Sequence, residues 1–216
     1  MSARQRDIRR RPEANTSKVR LSRSLAWLLR HNAESEGFTF LEGGYLRVED
    51  VLRHQRFTGF TVTDVEEVVR DNDKQRFAIT VGDGGKLLIR ANQGHSISNV
   101  TVEMEEIVSA DEVTKVIHGT NLKAWNEIQK TGLSRMKRNH IHFAAGEPGS
   151  EGVISGMRAC AQVCIYIDVH KAMEDGIKFF RSANNVILSP GDESGVIMPK
   201  YFKQVKNVKT NQPLNY

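Results

Sequence analysis

The sequence is poor in cysteine, in proline and in long apolar runs. It has two cysteines and five prolines among 216 residues. Two thiols cannot build a disulfide scaffold and lack the further ligands of a zinc ribbon, so a reducing environment is expected. No run approaches the roughly 18 apolar residues of a membrane span, and residues 1–18 lack the apolar core of a secretory signal. We therefore predict an intracellular protein, cytoplasmic or nuclear, that does not enter a membrane.

Two common nucleotide-binding signatures are also missing. No GxGxxG follows a strand-like segment, and no GxxxxGK[ST] is present, so the sequence supports neither a Rossmann dinucleotide fold nor a P-loop. The length suits one large domain or two small ones with an ordinary buried core. Any nucleotide site must therefore be built in another way.

The net charge of +5 is not spread over the chain. Residues 1–13 carry five arginines and two acids, and residues 200–216 carry four lysines and no acid, which leaves residues 14–199 at −2. A nucleic-acid site in this central part must rest on a few placed cations, because there is no diffuse positive field. We expect a chain trimmed to 14–199 to keep its chemistry and to lose only salt-sensitive affinity.

The first half of the sequence predicts helices followed by a hairpin. One helix is indicated by leucines at helical spacing: Leu21, Leu25, Leu28 and Leu29. A second short helix is predicted at 48–52, and a third begins at a capping box formed by Thr63 and Glu66. Strands 76–81 and 86–90 then flank the turn sequence GDGG.

Three helices and a hairpin are the element order of a winged helix, a relative of the helix-turn-helix. We predict an α+β fold whose winged-helix lobe spans 16–100, preceded by a disordered basic arm at 1–15. An acidic linker is predicted at 101–113, because this segment contains acids and no cation. A mixed α/β lobe of short strands follows at 114–204, and 205–216 is predicted to be a basic tail.

Several polar segments offer chemistry, each beside a structural alternative. Arg30 and His31 combine a planar phosphate-binding fork with a group that titrates near neutral pH, or they are a solvated helix end. Asn92 and Gln93, with Arg90, follow a strand and suit an anion or ribose, or form a polar loop. The segment RMKRNHIH, at 135–142, is a phosphate clamp or a solvated loop, and its histidines lack the spacing of a zinc site.

The segment His118-Gly119-Thr120 ends a predicted strand and opens a predicted helix that Thr120 caps. A helix N-terminus offers free N–H groups to a phosphate, and glycine lets a ligand approach the backbone. The alternative is a capped strand-to-helix turn that contains a core histidine.

Taken in order, these segments resemble the RNA (tRNA) 2'-phosphotransferases. The resemblance extends from about residue 18 to 203 and rests most firmly on two long stretches, LLIRANQGHS (87–96) and FFRSANNVILSPG (179–191). The shorter matching stretches are LSRSLAWLLRH (21–31), RFTGF (56–60), KQRFAI (74–79), VIHGT (116–120), RNHIHFA (138–144), GVISGMR (152–158) and GVIMPKYF (195–202). The chain departs from the family pattern at Asn32, where glycine is expected, and at Met198, where proline is expected.

The resemblance implies transfer of a splice-junction 2'-phosphate from ligated tRNA to NAD+ as co-substrate. An RNA-2'-phospho-ADP-ribose intermediate then gives 2'-hydroxyl RNA, ADP-ribose 1'',2''-cyclic phosphate and nicotinamide. It further implies that the second lobe is ADP-ribosyltransferase-like and binds NAD. The implied catalytic residues are Arg30, His31, Arg90 and Arg138. The resemblance also implies that NAD is bound by His118, Gly119 and Thr120, and RNA by Arg30, His31, Arg90, Asn92 and Gln93.

We predict that no metal is required, since arginines can balance the phosphate charge, and that the protein is a monomer. Two alternatives remain at this point: a winged-helix module that binds nucleic acid without catalysis, and a mono-ADP-ribosyltransferase that acts on nucleic-acid ends.

Overall fold

A computed structural model of the chain describes residues 16–147, 153 and 160–216. The chain divides into two compact units, Met1–Val102 and Glu103–Tyr216, here called the first and second units. The predicted arm at 1–15 and nearly all of GVISGMR lie outside the described residues. The described helices are all too short or too polar to cross a membrane.

The first unit contains three helices packed on a small sheet. Helix α1 covers 16–27 and continues into a π-helical turn at Leu28–Asn32. Helices α2, Val48–Arg53, and α3, Val62–Arg70, follow. The predicted apolar face of α1 is confirmed, because its four leucines are fully buried in the core of this unit.

The sheet of the first unit is antiparallel, with the order β1-β3-β2. Strand β1 is Leu46–Arg47, β2 is Phe77–Val81 and β3 is Leu87–Ala91. The predicted hairpin is confirmed, since β2 pairs with β3 across the GDGG turn. The predicted capping box is wrong by two residues. Thr61 caps α3 and pairs with Asp64, because that choice leaves Val65 and Val68 facing the core.

The second unit is built on an antiparallel sheet of seven strands, in the order β12-β8-β5-β7-β10-β9-β4. The strands are β4 (Met104–Ile107), β5 (Ile117–Thr120), β7 (Ile141–Ala144), β8 (Val163–Ile167), β9 (Phe179–Ser182), β10 (Val186–Ser189) and β12 (Phe202–Asn207). Two short strands, β6 (Leu133–Ser134) and β11 (Val196–Ile197), pair separately. The predicted mixture of helices and short strands is confirmed.

Two short helices accompany this sheet, α4 at Leu122–Thr131 and α5 at Val169–Glu174. The prediction that Thr120 caps α4 is wrong. Asn121 is the cap, and its side chain accepts the N–H of Ala124. Gly119 and Thr120 belong to β5, where they pair with Cys164 and Val163. They are therefore held by a sheet, and the expected anion site at a helix N-terminus is not formed by them.

Two predicted boundaries also change. The acidic segment 101–113 is not a simple linker, because β4 lies within it and pairs with β9. The predicted tail at 205–216 begins inside β12, where Val205 is 1% exposed. Residues beyond β12 cover its outer edge: Leu214 N–H donates to the Val205 carbonyl, and the Tyr216 hydroxyl donates to the Phe202 carbonyl.

Candidate active site

Arg30 and His31 lie in the π-helical turn that ends α1. Such turns are rare and are frequently found at functional sites. Leu28 and Leu29 anchor the turn in the core, whereas Arg30 is half-buried and His31 is exposed. Asn32, where the family pattern favours glycine, donates its side-chain amide to the Trp27 carbonyl at 3.0 Å. The departure at position 32 is thus accommodated within the turn.

The segment after β3 lies directly against this turn. The Ser96 N–H donates to the Arg30 carbonyl at 2.9 Å, and the Ser96 hydroxyl is hydrogen-bonded to His31 Nδ1 at 2.9 Å. Gly94 has a φ of 91°, and a Cβ there would lie 3.4 Å from the Arg30 guanidinium. The first unit therefore brings the RH and QGHS sequences together, and Ser96 orients the His31 ring.

Arg90 is a buried arginine of the first unit. Its side chain is 7% exposed, and its guanidinium carbon lies 4.8 Å from the centre of the Tyr45 ring. Arg90 Nη1 also donates to the Gly43 carbonyl at 3.3 Å. These contacts join β3 to the turn before β1, so Arg90 supports the shape of the first unit.

Asn92 joins the ends of the hairpin strands. It is 5% exposed; its backbone N–H donates to the Arg76 carbonyl, and its side-chain amide donates to the Gln75 carbonyl at 2.7 Å. Its Oδ1 is buried and has no partner among the described residues. Gln93, the next residue, is half-buried. Asn92 therefore positions the start of β2 and retains one acceptor.

Two cations that the sequence analysis did not single out lie directly before β2. Lys74 and Arg76, of the KQRFAI stretch, are both half-buried. Burial lowers the pKa of Lys74, and the charge of Arg76 lowers it further. Asn72 Oδ1 accepts from Arg76 Nη1 at 3.2 Å. A bound anion would stabilise two neighbouring cations of this kind. In the sequence, the pattern K-x-R directly before a strand is the signal that could have identified this pair.

His118 lies in β5, where a hydrogen bond holds its ring. Its Nδ1 donates to the His142 carbonyl at 3.0 Å, and its ring lies 6.0 Å from that of Phe143. Burial lowers the pKa of His118 despite this hydrogen bond, and the charge of Arg138 lowers it further. The ring is therefore neutral at pH 7, with its proton on Nδ1 and an acceptor at Nε2.

Arg138 ends a tight turn at 135–138 and is exposed. Its N–H donates to the Arg135 carbonyl at 3.1 Å, and its own carbonyl accepts from Arg135 Nη1 at 3.0 Å. Within the second unit, Arg138 is close enough to affect His118 electrostatically.

A metal centre has no basis in the residues that the structure describes. Among them there is no group of three histidine, cysteine, aspartate or glutamate side chains that could hold an ion. Cys160 and Cys164 are both free thiols, the first exposed and the second buried.

Comparison with known proteins places this chain in a family. The chain is 48% identical to tRNA 2'-phosphotransferase 1 of Danio rerio over 194 residues, which cover 88% of this chain and 86% of the relative. It is 42% identical to tRNA 2'-phosphotransferase 1 of Homo sapiens, covering 95% of this chain and 82% of the relative. It is 41% identical to tRNA 2'-phosphotransferase of Saccharomyces cerevisiae, covering 79% and 78%. The sequence profile of the RNA 2'-phosphotransferase, Tpt1 / KptA family matches residues 16–191, and the chain belongs to this family.

Proposed function

We propose that this protein removes the splice-junction 2'-phosphate of tRNA by transferring it to NAD+. The proposed path has an RNA-2'-phospho-ADP-ribose intermediate and ends in 2'-hydroxyl RNA, ADP-ribose 1'',2''-cyclic phosphate and nicotinamide. Family membership supports the phosphotransferase activity, and three relatives carry the name tRNA 2'-phosphotransferase. The observation that carries the proposal is the hydrogen-bonded contact of Arg30 and His31 with Ser96.

The first unit is proposed to bind the RNA as a winged helix. Its elements follow the order α1-β1-α2-α3-β2-β3, and β1 pairs with β3 of the β2–β3 hairpin. This order supports the proposal. Arg30 would pair with the phosphate through its planar guanidinium, which can donate two parallel hydrogen bonds to two phosphate oxygens. The buried Oδ1 of Asn92 and the side chain of Gln93 offer hydrogen bonds to the neighbouring ribose.

The second unit is proposed to bind NAD+ through His118, Gly119 and Thr120, in an ADP-ribosyltransferase-like arrangement. The donor set fits, because the neutral His118 ring has its acceptor at Nε2 and can receive a ribose hydroxyl. Gly119 has no side chain to exclude the ligand from β5. Bound NAD+ supplies an electrophilic ribose carbon with nicotinamide as its leaving group.

The remaining chemistry falls to charged side chains of the protein. The 2'-phosphate carries close to two negative charges near neutral pH and is a nucleophile already, so the first step requires mainly positioning. In the second step the 2''-hydroxyl oxygen of the ADP-ribose would attack the phosphorus and lose its proton, while the bond from phosphorus to the RNA 2'-oxygen breaks. Negative charge develops on the phosphoryl oxygens, and Arg30 and Arg138 stabilise it. His31, oriented by Ser96, donates a proton to the departing RNA 2'-oxygen.

The decisive experiment supplies NAD+ and an RNA with one internal 2'-phosphate, beside the same RNA without it. We expect equal amounts of dephosphorylated RNA, cyclic phosphate sugar and nicotinamide from the first RNA alone, and no change on adding EDTA. Tight RNA binding without turnover indicates a binding module. An ADP-ribosylated RNA end without cyclic product indicates a mono-ADP-ribosyltransferase. A large loss of activity in EDTA contradicts the metal-free chemistry.

The two arginines near the hairpin are expected to differ in effect. Arg90 is proposed as a positioning residue, because it holds Gly43 and Tyr45, and Arg76 as an additional phosphate ligand. Arg76→Ala should lower kcat about 10²–10³-fold with little change in Tm. Arg90→Ala should lower Tm. Each kcal/mol by which the free energy of unfolding falls should lower Tm by about 4–8 °C. The measurements are steady-state kinetics and thermal unfolding.

Arg76→Lys is the matched control, since it keeps the charge and removes the planar fork. The opposite result would be normal kinetics in Arg76→Ala and lost activity with an unchanged Tm in Arg90→Ala. That result would show that Arg90, and not Arg76, contacts the phosphate.

A further inference from the structure

The turn at 135–138 presents a methionine in an unusual backbone conformation. Met136 has a φ of 55°, a value that favours glycine, asparagine or aspartate in turns. An L side chain with a Cβ is unfavourable there. The side chain is 80% exposed, so burial in a core does not offset this cost. Folding alone gives no reason for methionine at this position.

The turn itself is held firmly from both ends. The Arg135 N–H donates to the Gly195 carbonyl at 2.9 Å, and the Met136 N–H donates to the Ser134 hydroxyl at 3.0 Å. Gly195 lies against the Arg135 side chain, and a Cβ at Gly195 would collide with it. Together with the two hydrogen bonds between Arg135 and Arg138, these contacts fix the direction in which Met136 leaves the surface.

The surroundings of Met136 indicate the chemistry of its partner. The residues on either side, Arg135, Lys137 and Arg138, are cations, and all are exposed. An apolar side chain among cations matches nucleic acid, which offers phosphate charge and the apolar face of a base within a few ångströms. Apolar side chains of nucleic-acid-binding proteins, methionine included, can insert between neighbouring bases and partly unstack them.

We propose that Met136 contacts the nucleobase adjacent to the nucleotide that carries the 2'-phosphate. The inference rests on the proposed function, in which Arg138 binds that phosphate. Two residues of chain span at most about 7 Å, and successive nucleotides of a strand are about 3.4 Å apart along its axis. Met136 is therefore a specificity residue that recognises RNA beside the phosphate and does not touch the reacting atoms.

The test compares Met136→Gly with Met136→Leu in the full chain. Glycine relieves the backbone and removes the side chain, whereas leucine keeps an apolar group of similar size. Met136→Gly should keep or raise Tm, raise the KM for 2'-phosphorylated RNA by about 5- to 50-fold and leave the KM for NAD+ unchanged. Met136→Leu should remain close to the original protein. Fluorescence anisotropy of the RNA without NAD+ should give the same ranking.

A matched RNA series identifies the contact. When the adjacent nucleotide is abasic, the original protein should lose affinity, and Met136→Gly should lose nothing further. Val108→Ala is the control, because Val108 is also 80% exposed but follows the acidic strand β4. An unchanged KM for RNA in Met136→Gly, or an equal loss on intact and abasic RNA, overturns the inference. Absence of phosphate transfer by the original protein would instead overturn the proposed function.

Discussion

Replacing His31 or Arg138 by alanine should make the ADP-ribosylated RNA intermediate accumulate. His31 is assigned to protonate the departing 2'-oxygen, and Arg138 to balance charge on the phosphoryl group, both in the second step. Loss of a general acid slows a step by about 10²–10⁴-fold, and loss of one charge-stabilising donor by about 10²–10³-fold. The first step, which depends on positioning of an existing nucleophile, should be affected much less.

Single-turnover experiments with labelled RNA resolve these steps, because intermediate and product are quantified separately. His170→Ala and Lys130→Ala are suitable controls: the first removes an exposed histidine near Asp111, the second an exposed cation of α4. Ser96→Ala should slow the second step less than His31→Ala, since the imidazole remains and loses only its orientation. If both site variants lose the first step as completely as the second, the assigned roles are wrong.

A chain ending at residue 199 should fail to fold, which reverses the expectation drawn from its charge pattern. The deletion removes β12, the edge strand beside β8, and with it the core residues Tyr201, Phe202 and Val205. Loss of one large buried aromatic side chain costs about 3–5 kcal/mol, and a whole domain is stable by only about 5–15 kcal/mol. Circular dichroism and limited proteolysis should report an unfolded second unit.

Charge and structure can be separated at this end of the chain. Lys203→Gln with Lys209→Gln removes two exposed charges and leaves β12 in place. This variant should keep its Tm and its turnover and show a smaller dependence of RNA affinity on salt. Deletion of residues 1–13, which removes five arginines, should likewise reduce the dependence of RNA affinity on salt. A folded and active chain that ends at residue 199 would refute the structural role of β12.

Much of the first unit follows from its sequence, because its signals are local. Four leucines at helical spacing specify the buried face of α1, and GDGG between two apolar runs specifies the β2–β3 hairpin. The acidic segment before the second unit was misinterpreted, since local charge does not reveal that β4 pairs with β9, more than 70 residues later. Pairing across such distances is decided by the sheet as a whole.

For the candidate active site, too, local sequence signals predicted some features and the tertiary structure decided the others. The sequence by itself determined the family resemblance. It also drew attention to five residues whose segments have distinctive local composition: Arg30, His31, Arg90, His118 and Arg138. Only the tertiary structure decided that Ser96 orients His31, that Arg90 is buried against Tyr45, and that Lys74 and Arg76 form a like-charged pair. It also decided that the predicted basic tail at 205–216 begins inside β12. Burial and hydrogen-bond partners depend on residues distant in the chain, and a local pattern contains no record of them.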